Sequence, residues 1–398
     1  MHIMLLIAAL LLLQGLTLIM LATLLKSLFF VVAGIAAATP AEATRTLNVS
    51  SRAGLVDAIA RAQSGDRIIL APGNYGSIDI RNKSWASDVT LISGSATNPA
   101  QIETLTVNGV SRLVIKSLQI GRPLNPGEPN YAIFGNFRNV SAVTLDSVFV
   151  RGSMDNNPLN DGNGLNFVDS RNVTVKASRF EQLGRGLSAS GSTDIMISGN
   201  IFRHMRTDGA NFANVQRVTI DGNKFSDFFV GEGDHPDAIQ FWTAGTKQAS
   251  SNIIIRNNQI FQGRGAGTQG IFLTDQVGSL AYENVRIENN LLYVYDGYNG
   301  IMVGHGRQIE IIGNSVLSES RDNQKYWIRL DRVEGVTLRN NLADSFVNQN
   351  NKAMTTENNI FLDSKPGTAG RIRDLQALAG ATVEGLVVPG IGYQPPGR

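Results

Sequence analysis

The chain has 398 residues, more than the ~250–300 at which one compact core stops growing, so it comprises several domains or one elongated, repetitive one. Charged residues are 17% of the chain and glycines number 41, a turn-rich composition; 35 basic and 33 acidic residues are spread along it, and no block of like charge is long enough to track a nucleic-acid backbone. Cysteine is absent, which excludes disulfides, thiolate metal sites and a thiol nucleophile and leaves the chemistry to Asp, Glu, His, Arg, Lys and Tyr.

Residues 1–43 are almost wholly apolar, carry Lys26 as their only Lys or Arg, and end in Ala41-Glu42-Ala43. Read from Met20, they have the anatomy of a signal peptide: Lys26 as the basic start, an apolar stretch, then small residues flanking a cleavage point. A secreted or periplasmic protein that leaves the membrane after cleavage is expected; the alternative is an uncleaved anchor, because 1–38 is long enough to span a bilayer. Next, Leu55, Ala58, Ile59 and Ala62 recur at helical spacing, followed by a turn at Gly65-Asp66, an extended Ile68-Ile69-Leu70, and Pro72-Gly73-Asn74-Tyr75. The spacing predicts an amphipathic helix closing the end of a solenoid.

From about residue 143 onward one phrase recurs: two alternating aliphatic positions, a tight turn, an Asn, and another apolar residue. It reads IMISGNIF at 195–202, VTIDGNKF at 218–225 and IIIRNNQI at 253–260, with further copies at 285, 309 and 336. Seven steps over 193 residues give a period of about 28, the range of stacked coils. Period-2 alternation makes each phrase a strand, and Asn200, Asn223, Asn258, Asn290, Asn314 and Asn341 fall in one register, where their amides can form a ladder along the axis. Asn at this position is expected to adopt the left-handed bend.

These motifs resemble the right-handed parallel β-helix superfamily of pectate lyases, alginate lyases, mannuronan epimerases and polygalacturonases over roughly 46–362. The resemblance implies an all-β solenoid with an N-terminal capping helix and an Asn ladder, organised as signal peptide 1–43, β-helix 44–363, and distal cap and tail 364–398. A second strand follows each Asn: Leu187-Ser188-Ala189, Ala210-Asn211-Phe212, Ile239-Gln240-Phe241, Ile271-Phe272-Leu273 and Ile301-Met302-Val303. In the resembling families that strand floors the substrate groove. The step from this strand to the next coil is eight residues at 210–218 and fourteen at 239–253 and 271–285, so the long excursions cluster around Asp237 and Gln269.

Counting two residues back from each second strand gives the column Asn163, Arg185, Asp208, Asp237, Gln269 and Asn299; counting four back places Arg206 beside His235. Coils ~4.8 Å apart would stack Asp208 on Asp237, which raises one carboxyl or invites a cation. Asp208, Asp237, His235 and Arg206 are therefore the candidate catalytic residues. Arg185, Arg264, Asn211, Gln240, Gln269 and Trp242 are candidate substrate ligands, the arginines for a carboxylate and the indole for a sugar face. Asp208, Asp234 and Asp237 are candidate ligands for calcium, the one cofactor considered. Thr207-Asp208-Gly209 resembles the first acidic motif of polygalacturonases and His235-Pro236-Asp237 stands at their paired-aspartate motif, with Pro236 and Gln269 departing from the pattern. Ion pairing of the carboxylates as turn caps is the structural alternative, and His305, between two glycines, is read as a turn residue.

The expected protein is an exported monomer acting on an acidic, uronate-containing polysaccharide by β-elimination or C5-epimerisation. A glycoside hydrolase and a non-catalytic polysaccharide-binding surface protein are the alternatives. N-terminal sequencing of the secreted product is expected to begin at Thr44, and residues before it would refute export.

Overall fold

A computed structural model describes residues 44–295, 297–318, 326–363 and 382–397. The leader, with both its signal-peptide and anchor readings, lies outside the described residues, among which no helix is long and apolar enough to cross a membrane.

The helix predicted at the start spans Arg52–Ala60; Ser51 caps it by accepting the Gly54 N–H, and Leu55, Ala58 and Ile59 are its buried residues. Coils then stack in parallel. Each carries three strands, where the repeat pattern predicts two. Face A holds the aliphatic phrases, such as Thr193–Ser198, Gln216–Asp221 and Ser251–Arg256. Face B, the additional one, holds Ile201–Met205, Lys224–Ser226 and Gln259–Phe261. Face C holds Ala210–Ala213, Asp237–Trp242 and Gln269–Thr274. Faces A and C belong to one 20-stranded sheet and face B forms an 11-stranded one. Face-B strands of two to five residues are too short to show alternation, and they are marked by core residues such as Phe202, Phe225 and Ile260.

Those aromatics do much of the packing. Phe180, Phe202 and Phe225 stack with centroids 4.5 and 4.7 Å apart, and Phe212 stacks on Phe241 at 4.7 Å. Registers run without slip through these coils, Ile195 against Val218 against Ile253 and Ala210 against Ile239 against Ile271. Residues 382–397 cover the outer side of face B, where Leu386, Ile391 and Tyr393 pack with Leu291, Leu317 and Leu342; the rest of the expected distal cap lies outside the described residues.

The Asn column forms a ladder at the corner between faces A and B. Asn258 Oδ1 accepts from the backbone N–H and the Nδ2 of Asn223 at 2.9 and 3.0 Å, while its own Nδ2 donates to Ile220 O at 2.9 Å and Asn290 Oδ1 at 3.0 Å. Asn359 extends the ladder past Asn341. The expected left-handed conformation falls one residue earlier, on Gly199 (φ 62°), Gly222 (66°), Asn257 (57°), Asn289 (52°), Gly313 (64°) and Asn340 (55°). That turn residue swings the ladder Asn inward, so burial and not backbone bending is what selects its amide. Asn258→Ala should cost roughly 1–3 kcal/mol, because it strands the backbone carbonyl of Ile220 and the amide of Asn223 in the interior. Urea titration checks this, and an unchanged midpoint would remove the ladder from the account.

Candidate functional site

The corner between faces B and C is built from a polar residue followed by a small one in each coil: Arg185-Gly186, Asp208-Gly209, Asp237-Ala238, Gln269-Gly270 and Asn299-Gly300. The small residues permit close approach. A Cβ on Gly209 would stand 2.6 Å from the carbonyl oxygen of Ala238 and 2.6 Å from the Phe225 ring. With backbones this close, Gly186 N–H donates to Asp208 O at 3.0 Å, Gly209 N–H donates to Asp237 O at 2.9 Å, and Asp237 lies opposite Gln269. The axial column read from the sequence is therefore present, and the small-residue column that accompanies it was legible but unread.

The side chains of this column and of the neighbouring outward positions bond to one another. Arg185 Nε donates to Asp208 Oδ2 at 3.1 Å, and Asn211 Nδ2 donates to the same oxygen at 2.8 Å and to Gln240 Oε1 at 2.5 Å. Gln240 Nε2 donates to Asp237 Oδ2 at 2.7 Å. His235 Nδ1 stands 3.4 Å from Asp237 Oδ2, and the amide nitrogen of Gln269 lies against the imidazole. Asn299 Nδ2 donates to Gln269 Oε1, and Trp327 Nε1 donates to Asn299 Oδ1 at 2.8 Å. Trp242 Nε1 donates to Asn211 Oδ1 at 2.6 Å.

Burial sorts these groups. Asp237 is fully buried, Asp208 is nearly so, and Asp237 Oδ1 has no hydrogen-bond partner among the described residues. The His235 side chain is 53% exposed, its ring edge-on to Phe272 with centroids 6.0 Å apart. Burial, reinforced by the charge of Asp208 and opposed by the hydrogen bond with His235, pushes the Asp237 carboxyl up to about 6. Burial also raises Asp208, against the pull of Arg185 and Asn211. Asp237 raises His235 in turn, by hydrogen bond and by charge. The group that can reach a ligand is therefore the imidazole, with the carboxylates behind it. The arrangement can move a proton.

Several expectations need correction. Arg206 does not join the pair: its Nε and Nη2 reach Asp234 at 2.6 and 3.2 Å, because the loop after face B folds Asp234 back onto it. Asp234 is thereby taken away from Asp208 and Asp237, and among the described residues no three His, Cys, Asp or Glu side chains converge as metal ligands, so the calcium triad is not assembled. Arg264 sits on the loop beside Asp227, which accepts its backbone N–H at 2.9 Å, and its side chain is exposed there. Trp242 is half-buried, with its N–H committed to Asn211. Asn211, Gln240 and Gln269, expected to bind substrate, are engaged with the carboxylates and the imidazole. Of the arginines Arg185 alone remains at the pair; only its Nε is engaged, leaving both Nη groups without a partner among the described residues.

His305 does stand at a turn, with φ 71°, and also places Nδ1 2.7 Å from Asp275 Oδ2. Burial would raise Asp275, but His305, Thr243 and the loop N–H groups of Leu280 and Gly278 bring it down to about 2. This cluster ties down the excursion that follows the strand Gln269–Thr274. It lies at the opposite end of the face-C strands from Asp237.

A family model described as right handed beta helix region matches residues 136–316. The chain is a right-handed parallel β-helix. PfbA, a surface adhesin of Streptococcus pneumoniae, aligns with this β-helix at a TM-score of 0.54 and 12% identity, covering 80% of this chain and 93% of that one. An alginate lyase from Paenibacillus sp. str. FPU-7 aligns at 14% identity and TM-score 0.49, covering 79% and 100%. A family 28 exopolygalacturonase of Yersinia enterocolitica aligns at 11% identity and TM-score 0.46, covering 80% and 78%. No curated protein matches the sequence. At such identities the likeness is one of fold.

The raised carboxyl makes stability pH-dependent. Asp237 ionises near 3.8 in an unfolded chain and near 6 in the folded β-helix, so the folded form holds the proton between those values and stability falls as pH rises through them. The raised His235 acts in the same sense, stabilising at low pH and ceasing to do so as it loses its proton. Asp237→Asn should therefore melt above the unmodified protein at about pH 8 and lose that advantage at about pH 4. Parallel melting curves across the range would contradict the burial argument.

Proposed function

We propose that this β-helix is an exported, monomeric enzyme that processes a uronate-containing polysaccharide laid over face C, with His235 as the proton-transferring group. The observation that carries the reading is a half-exposed imidazole backed by a buried carboxylate, with the free Nη groups of Arg185 two coils along the stack. A guanidinium there can pair with the sugar carboxylate and lower the barrier to removing the adjacent C5 proton. Neutral His235 removes that proton once substrate displaces the Gln269 amide from the ring, and Asp237 stabilises the imidazolium that results. Transfer of the proton to O4 as the C4–O4 bond breaks leaves a C4–C5 double bond, which is β-elimination; protonation of C5 from the opposite face by a second donor, such as a solvent water, is epimerisation. Asn211 and Gln240 set the two carboxylates, while Trp242 and Phe272 supply flat surface on the floor.

One observation favours hydrolysis as a second reading. Arg206 is neutralised by Asp234, so a single arginine serves the sugar carboxylate, and a protonated His235 backed by Asp237 can act as a general acid.

The test is a screen of uronate polymers and neutral glucans read by ultraviolet absorbance for unsaturated ends and by reducing sugar. Elimination raises both signals and hydrolysis the second alone; a rise in neither, with retained binding, would make this a binding protein. His235→Ala and Asp237→Asn should lower kcat by at least ~100-fold with the fold intact, whereas His305→Ala should be close to neutral. Because the base must be neutral, activity should rise with pH through a midpoint above the ordinary imidazole value. Full activity in His235→Ala would overturn the assignment.

A further inference from the structure

Trp242, at the far end of its face-C strand opposite Ala213, and Trp327, at the corner opposite Asn299, play matching parts. Trp242 and Trp327 each end a line of side-chain amides, one on either side of the His235–Asp237 pair. An indole N–H can donate and cannot accept, so each ring dictates which way the amide it touches must face. Asn299 presents Oδ1 to Trp327, which turns its Nδ2 onto Gln269 Oε1 and so turns Gln269 Nε2 onto the imidazole. Asn211 presents Oδ1 to Trp242, which turns its Nδ2 onto Asp208 and onto Gln240 Oε1, and Gln240 Nε2 then meets Asp237. Amide oxygens and nitrogens are told apart by their partners, and here both lines admit one sense only.

We propose that Trp242 and Trp327 are positioning residues that set the direction of two amide relays converging on Asp208, Asp237 and His235. The relays do opposite things. The Trp242 line delivers N–H donors to the carboxylates and favours their charged forms. The Trp327 line aims an N–H at the imidazole, which favours a neutral ring with a lone pair toward Gln269 and opposes the imidazolium, both of whose nitrogens carry protons. His235 is thus held between Asp237 and Asp208, which favour its protonation, and the Gln269 amide, which resists it. Phe272 faces the same ring without charge, the Arg206–Asp234 pair is internally neutralised on the adjoining loop, and Arg185 pairs through its Nε with Asp208, not with His235. The significance of this setting rests on the proton-transfer role proposed for His235; the relay itself does not.

The experiment is an NMR titration of the full chain labelled with nitrogen-15 histidine. The four histidines are His2, His204, His235 and His305, and the His235 signals are those lost in His235→Gln. Gln269→Met keeps the volume and removes the donor, and should raise the His235 midpoint by about one unit. Trp327→Phe keeps a ring and removes only the N–H, frees Asn299 and Gln269 to rotate, and should raise it by about half as much. The double variant should show no more than Gln269→Met alone, because both act through one amide. A midpoint unmoved by Trp327→Phe, or effects that add, would overturn the proposal and leave Trp327 as packing. If Trp327→Phe fails to fold, Asn299→Leu cuts the same line one link later and is held to the same outcomes. On the other side, Trp242→Phe should raise the pH at which the carboxylates ionise, read by carbon-13 aspartate shifts; unchanged shifts would count against the second relay. No substrate is needed for these measurements. A polysaccharide screen without turnover would sink the proposed function and leave the relay standing, and a flat His235 response would do the reverse.

Discussion

Backbone hydrogen bonding between successive parallel coils is the constraint on which the rest depends. It holds every residue directly over its counterpart one coil away, at the ~4.8 Å spacing of paired strands. Like side chains therefore meet like side chains for the length of the stack. Apolar columns merge into one core, phenylalanines stack ring on ring, and asparagines share amides in a ladder. A charged residue in such a column faces its own kind unless the column changes identity from coil to coil. The corner between faces B and C does so, running from Arg185 through Asp208 and Asp237 to Gln269 and Asn299.

That change of identity is how a repetitive scaffold acquires a local centre. Asp208 and Asp237 are brought together by stacking alone, and glycines or alanine after them let the coils close to backbone contact. Proximity and burial would leave two carboxylates both difficult to ionise. Arg185 balances one, while His235, on a loop free of the stack, balances the other and carries its proton-moving capacity to the surface. The stack supplies rigidity and the loop supplies access. Asp237 Oδ1 has no hydrogen-bond partner among the described residues, a cost of burial that the rest of the stack must offset.

Legibility followed the scale of the physics involved. The helix at Arg52–Ala60, the strands of faces A and C, and the Asn register were readable because period and stacking are properties of the chain itself. Face B escaped, since a strand of three residues shows no alternation. The left-handed residue was placed one position late because Asn suits both a bend and a ladder, and only burial distinguishes them. Within the site the column Arg185, Asp208, Asp237 and Gln269 was legible, whereas the partners of its members were not. Arg206 had two acidic neighbours within reach along the chain, and the path of one loop awarded it to Asp234.

By itself, then, the sequence determined the solenoid, its period, its capping helix and the coils on which polar residues depart from the repeat, because each is written in spacing. Only the tertiary structure decided which of those polar groups are buried, which donate and which accept, and therefore that His235 faces outward while Asp208 and Asp237 do not. Hydrogen-bond direction and desolvation depend on what lies above, below and across from a side chain. In this fold two of those three neighbours come from other coils, some thirty residues away along the chain, and the third comes from loops whose course no repeat encodes.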